Sequence, residues 1–106
     1  MAASYQLTPR ALDNLDEIWI FIAQDKISAA DRVEAAILSA CYRLARHPLL
    51  GTKRTEITGK PVRFWTVPRY PNYIVVYRPE TRPLQVVAIV HGMRNLKQLL
   101  DEPGAF

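Results

Sequence analysis

A cationic and aromatic set runs through the second half of this chain: Lys53, Arg54, Lys60, Arg63, Arg69, Tyr70, Tyr73, Tyr77, Arg78, His91 and Arg94. Basic groups interleaved with aromatic rings can hold phosphates and stack bases. The same types could cleave RNA. Attack of a 2′-OH on its own phosphodiester needs a proton acceptor, a proton donor and cations that stabilise the phosphorane, roles open to His, Tyr, Lys and Arg.

Each of these residues also has a plainer reading. His91 closes an apolar run and suits a hydrogen-bonded structural histidine. Arg63 alternates with Val62 and Phe64, as the solvent-facing member of a half-buried strand does. Tyr73 and Tyr77 share a parity, which suits packing, and Lys53 and Arg54 lie in a loop where solubility alone accounts for them. Arg94 is the most pointed, because it follows Gly92 where the chain must turn. Its guanidinium is expected at the rim of a sheet, touching a partner or capping a following helix.

Other chemistries find no support. There is no CxxC and no His pair at metal-ligand spacing, and two histidines with one cysteine do not build a zinc site. GxGxxG and Walker loops are missing, so neither a metal nor a cofactor is expected. Most acids lie in the first two helical segments or at the tail, where a solvated face explains them.

The elements that must position the set can be read from periodicity. Ser4 to Thr8 can form a short first strand. Thr8-Pro9 reads as an N-cap followed by proline at the first helical position. Leu12, Leu15, Ile18, Trp19 and Ile22 then make an apolar stripe that carries a helix to about Gln24 or Asp25. Ser28 with Asp31 resembles a capping box, and Val33, Ile37, Ala40, Cys41 and Leu44 form the next stripe. Arg43, Arg46 and His47 fall in its last turn and Pro48 stops it. The short Lys26-Ile27 link implies a helical hairpin.

Composition then shifts. The stretch PLLGTKRTEITGKP is a loop, and VRFWTV, YIVVYR and LQVVAIVH are strand-like, separated by PRYPN and PETRP turns. Short connections favour antiparallel pairing. The last run is apolar at both parities and is expected at the centre of the sheet. NLKQLLDE can add a short C-terminal helix. The predicted fold is α+β: β-α-α-β-β-β with that helix, the helical hairpin packed on a twisted antiparallel sheet. The 106 residues amount to one domain, residues 1–106.

The net charge of +4 is unevenly spread. Residues 1–47 carry five basic and six acidic side chains, whereas residues 48–106 carry nine basic and four acidic, a net charge of +5. That half would draw a polyanion or an acidic protein. The lone Cys41 forbids an internal disulfide, the start has no secretory pattern, and no apolar run is long enough to span a bilayer. A cytoplasmic location is expected.

Taken in order, Pro48-Leu49-x-Gly51, Arg54 with Glu56, the Arg63-Phe64 strand, YIVVYR and the closing His91-Gly92-x-Arg94 resemble the RelE/ParE superfamily of type II toxin–antitoxin toxins. The helical hairpin before them fits as well. One branch of that superfamily, RelE-like, cuts mRNA in the ribosomal A site. The other, ParE-like, poisons DNA gyrase and blocks replication. The HGMR ending and the tail from Asn95 to Phe106 resemble the ParE-like branch. The resemblance implies a growth-arresting, plasmid-maintaining toxin that acts on gyrase by binding rather than catalysis, the alternative being a ribosome-dependent mRNA endonuclease using Arg63, Tyr77 and His91. Target binding is expected from Arg63, Arg69, Arg94 and Lys97. It also implies a cognate antitoxin, acidic and folding on binding, that lays an amphipathic helix along the hairpin and the sheet edge to form a hetero-oligomer.

Overall fold

The computed structural model describes residues 4–92. The elements run β1 (Tyr5–Leu7), α1 (Pro9–Ala23), α2 (Ile27–Arg46), β2 (Arg63–Val67), β3 (Tyr70–Arg78) and β4 (Leu84–His91). This is the α+β order the sequence predicts. The expected C-terminal helix, with Arg94 and Lys97, lies outside the described residues.

Thr8 caps α1 as its position suggests: its backbone is extended and its Oγ1 accepts the Ala11 N–H at 3.1 Å, with Pro9 in the first turn. The same hydroxyl donates to the Val87 carbonyl at 3.1 Å, so the cap also fastens the helix to β4. The α2 stripe is buried at every predicted position, Val33, Ile37, Ala40, Cys41 and Leu44. Burying a side chain such as Ile37 contributes roughly 1.5–3 kcal/mol by area. The predicted capping box does not form. Helix α2 starts at Ile27 with Lys26 at the N-cap and no side-chain cap, while Asp31 Oδ1 accepts the Trp19 indole N–H at 2.9 Å. A cross-helix partner has claimed the carboxylate that a local cap would have used.

The sheet has the order β1-β4-β3-β2. Strands β2, β3 and β4 pair antiparallel, and β4 is interior, as its two apolar parities require. The first strand departs from the antiparallel expectation: β1 pairs parallel with β4, Tyr5 opposite Leu84 and Leu7 opposite Val86. Two helices and two strands intervene, ample chain for a parallel crossover. Where β1 ends, the Asn14 side chain of α1 takes over and its Oδ1 accepts the Ile89 N–H at 3.1 Å.

A bulge in β4 resets the parity. Val76 faces Ala88 and Tyr77 faces Val86, leaving Val87 extra. One sheet face, with Val75, Tyr77, Val86 and Ile89, packs on the hairpin through Leu15, Ile37, Cys41 and Leu44. The other gathers Phe64, Ile74, Val76, Val87 and Ala88 with Val62, and Ile57 of the preceding loop packs against it. Two consecutive residues, Val87 and Ala88, therefore serve the same face.

Candidate functional site

Among the described residues, Arg63, Tyr77, Tyr73, His91 and Arg69 fall at the two ends of β3. At its C-terminal end Arg63 and Tyr77 are paired across β2 and β3. Tyr77 is fully buried, and its hydroxyl donates to the Pro48 carbonyl at 2.6 Å while accepting the Gly51 N–H at 2.8 Å. Arg63 reaches the same turn, its Nη1 donating to the carbonyls of Gly51 at 2.7 Å and Leu49 at 3.4 Å. Burial pushes the Tyr77 phenol up, against the opposing pull of the Gly51 N–H and the Arg63 charge. A phenol so enclosed and so engaged is poorly placed to exchange protons with a substrate. Its work here is to hold the turn that leads from α2 into the basic loop.

At the other end Tyr73 is paired with His91, ring centroids 5.0 Å apart and tilted by 60°. His91 is exposed, and burial pushes the Tyr73 phenol up. The chain leaves β4 at Gly92, whose φ of 78° is the left-handed conformation that glycine adopts at little cost; its N–H donates to the Asn72 carbonyl at 2.6 Å. Arg69 stands at this end too, exposed in the two-residue Pro68–Arg69 connection between Val67 and Tyr70. It adopts φ 73°, an unfavourable conformation for a residue with a Cβ.

The separation matters for chemistry. Tyr77 lies four residues beyond Tyr73, the partner of His91, or about 13 Å along the strand. Arg63 and Tyr77 are together; His91 is elsewhere. General acid–base transfer asks for heavy atoms within about 3 Å, directly or through one water.

In the loop, Arg54 Nε meets Glu56 Oε2 at 2.7 Å, and this contact holds the Glu56 carboxyl below its usual range. Two residues given no functional role from the sequence stand out here. Leu49 and Leu50 belong to the turn that Tyr77 and Arg63 brace, yet they are 72% and 38% exposed. An apolar pair between a proline and a glycine was the available signal. Phe21, at 74%, is likewise exposed beside Ile20 near the end of α1.

With this geometry in hand, comparison with known proteins places the chain. Residues 5–96 match the family model described as the ParE toxin of type II toxin-antitoxin system, parDE. The chain belongs to the ParE toxin family. It is 32% identical over 93 residues to the Sinorhizobium fredii (strain NBRC 101917 / NGR234) protein named "Putative toxin Y4kP", covering 88% of this chain and 92% of that one. A solved structure titled "Chromosomal ParDE TA system from P. aeruginosa" shares the fold at a TM-score of 0.70 and 19% identity, covering 87% of this chain and 98% of that chain. The family assignment agrees with the ParE-like resemblance of the HGMR ending. No described helix is long and apolar enough to cross a membrane.

Proposed function

We propose that this ParE-family toxin arrests growth in the cytoplasm by binding DNA gyrase, and that an acidic cognate antitoxin neutralises it. The observation that carries this reading is the separation of His91 from Arg63 and Tyr77, with the Tyr77 hydroxyl committed to the Pro48–Gly51 backbone. A binding toxin needs a charged, shaped rim rather than converging proton donors and acceptors. The His91 end supplies one, with Arg69 held at a positive φ on the hairpin tip. Arg63, half-buried under the turn, acts in this reading by shaping the surface, while Arg69, Arg94 and Lys97 are the target-binding cations.

One observation favours a second reading. Half-buried Tyr73 and exposed His91 form an aromatic pair at the same end of the sheet as Arg69, and such a trio could serve an mRNA endonuclease with Tyr73 in place of Tyr77. The test uses purified toxin in two assays. Incubated with gyrase, ATP and relaxed plasmid, it is expected to abolish supercoiling or accumulate cleaved plasmid, and added antitoxin is expected to restore activity. Cuts in mRNA at the A site of translating ribosomes, lost in His91→Ala, would overturn the gyrase reading.

A further inference from the structure

The Pro48–Gly51 turn combines two features. Its backbone is pinned from below by a buried tyrosine and a half-buried arginine, through Pro48 O, Gly51 N and Gly51 O; Leu50 N–H also donates to the His47 carbonyl at 3.1 Å. A turn held this way has little conformational freedom left to lose. Yet it displays Leu49, largely open to water, and Leu50, partly so. Rigid, exposed apolar side chains are what a binding anchor requires, because the ordering cost of association is largely met in advance.

The surroundings indicate the partner. No acidic residue occurs from Ala35 through Thr55, and residues 42–63 carry six basic side chains against Glu56 alone. Arg43 and Arg46 lie in the last turn of α2, and Arg46 sits over the exposed Tyr42 ring at 6.0 Å. Ile20, Phe21 and Ile27, also exposed, lie at the opposite end of α2, about 30 Å away at 1.5 Å per residue, and Leu12 is exposed on α1. There the charge is reversed: residues 13–31 carry five acids and one base. A two-fold contact between copies through the leucines would set one basic collar against another. Phosphates would use the cations but gain nothing from Leu49 and Leu50.

We infer that the Pro48–Gly51 turn is a preformed docking knob for an acidic, amphipathic segment of the antitoxin, with Leu49 and Leu50 as apolar anchors and the basic collar steering the approach. The identity of that partner rests on the neutralised-toxin reading above. The knob accounts for the positions of Tyr77 and Arg63: they are positioning residues acting through the turn.

The test measures affinity between the toxin and its cognate antitoxin, co-expressed, purified and separated. The Leu49→Ala/Leu50→Ala variant should bind at least about tenfold more weakly, and Leu49→Ala alone, at the 72% exposed position, should weaken binding with a thermal melt close to wild type. Raising the salt should weaken wild-type binding, and Phe21→Ala should bind as wild type does. Unchanged affinity in the leucine variant, or loss confined to Phe21→Ala, would overturn the docking surface while leaving the toxin reading intact. Failure of the wild-type chain to bind antitoxin would remove both. Tighter binding of a labelled single-stranded RNA, insensitive to the leucine substitutions, would assign the collar to nucleic acid instead, and concentration-dependent oligomers abolished by the leucine substitutions would assign it to a second copy.

Discussion

Tyr77 and Gly51 fit so closely that a Cβ on the glycine would lie 2.5 Å from the tyrosine hydroxyl and 2.8 Å from Cε1, with the Phe64 carbonyl at 3.0 Å. The glycine is required here for space. Gly51→Ala must displace a buried ring or a strand carbonyl and is expected to cost about 1–3 kcal/mol. Tyr77→Phe keeps the ring but strips Gly51 N–H and Pro48 O of a buried partner, for roughly 1–3 kcal/mol. Urea unfolding of both variants checks these values. Because the two residues touch, the double variant should cost less than the sum. Strict additivity would mean that the turn relaxes away from the strand.

Alkaline pH should loosen the fold through Cys41. Burial pushes its thiol from 9.0 up to about 12. The unfolded thiol ionises from pH 9 while the folded one keeps its proton, so the folded state binds more protons across that window and stability falls as pH rises. The contribution is complete below pH 9 and its loss approaches about 4 kcal/mol near pH 12. Tyr5, Tyr73 and Tyr77, all raised by burial, add to the decline above pH 10. Urea midpoints at pH 7.5, 9 and 10 should therefore drop more steeply for wild type than for Cys41→Ala. Parallel pH profiles would contradict the assignment.

Arg69 offers a separation of stability from function. Glycine at φ 73° removes the Cβ penalty but raises the entropy of the unfolded chain, so Arg69→Gly should shift stability by less than about 1 kcal/mol. Inhibition of gyrase supercoiling should weaken by about tenfold if the guanidinium is a contact rather than a turn former. A melt near wild type with full inhibition would strike Arg69 from the target-binding set.

Asn14 stands in for a missing strand neighbour at Ile89. Asn14→Ala should leave that amide without its acceptor at about 1–3 kcal/mol, whereas Asn14→Asp retains an acceptor oxygen. Native-state hydrogen exchange at Ile89 reads this directly: faster in the alanine variant, near wild type in the aspartate. Unchanged protection in Asn14→Ala would show that another group can serve the amide.

The sequence alone determined the α2 stripe, the Thr8-Pro9 start of α1, the interior position of β4 and the ParE-like resemblance of the pieces in order; the α1 stripe held only in part, because Leu12 is 48% exposed and Ala11 is buried beside Leu15 instead. These follow from local chemistry: side-chain period, cap and proline stereochemistry, and apolarity at both parities. Tertiary structure decided the rest. The parallel docking of β1 joins segments 79 residues apart, as at Tyr5 and Leu84, and no local period encodes that pairing. The bulge at Val87 depends on the register between β3 and β4. Asp31 turned from a cap to Trp19 because its partner lies on another helix. The division of Arg63, Tyr77 and His91 between two ends of one strand arose the same way: residue types announce possible chemistry, but only the long-range register sets which of them can touch.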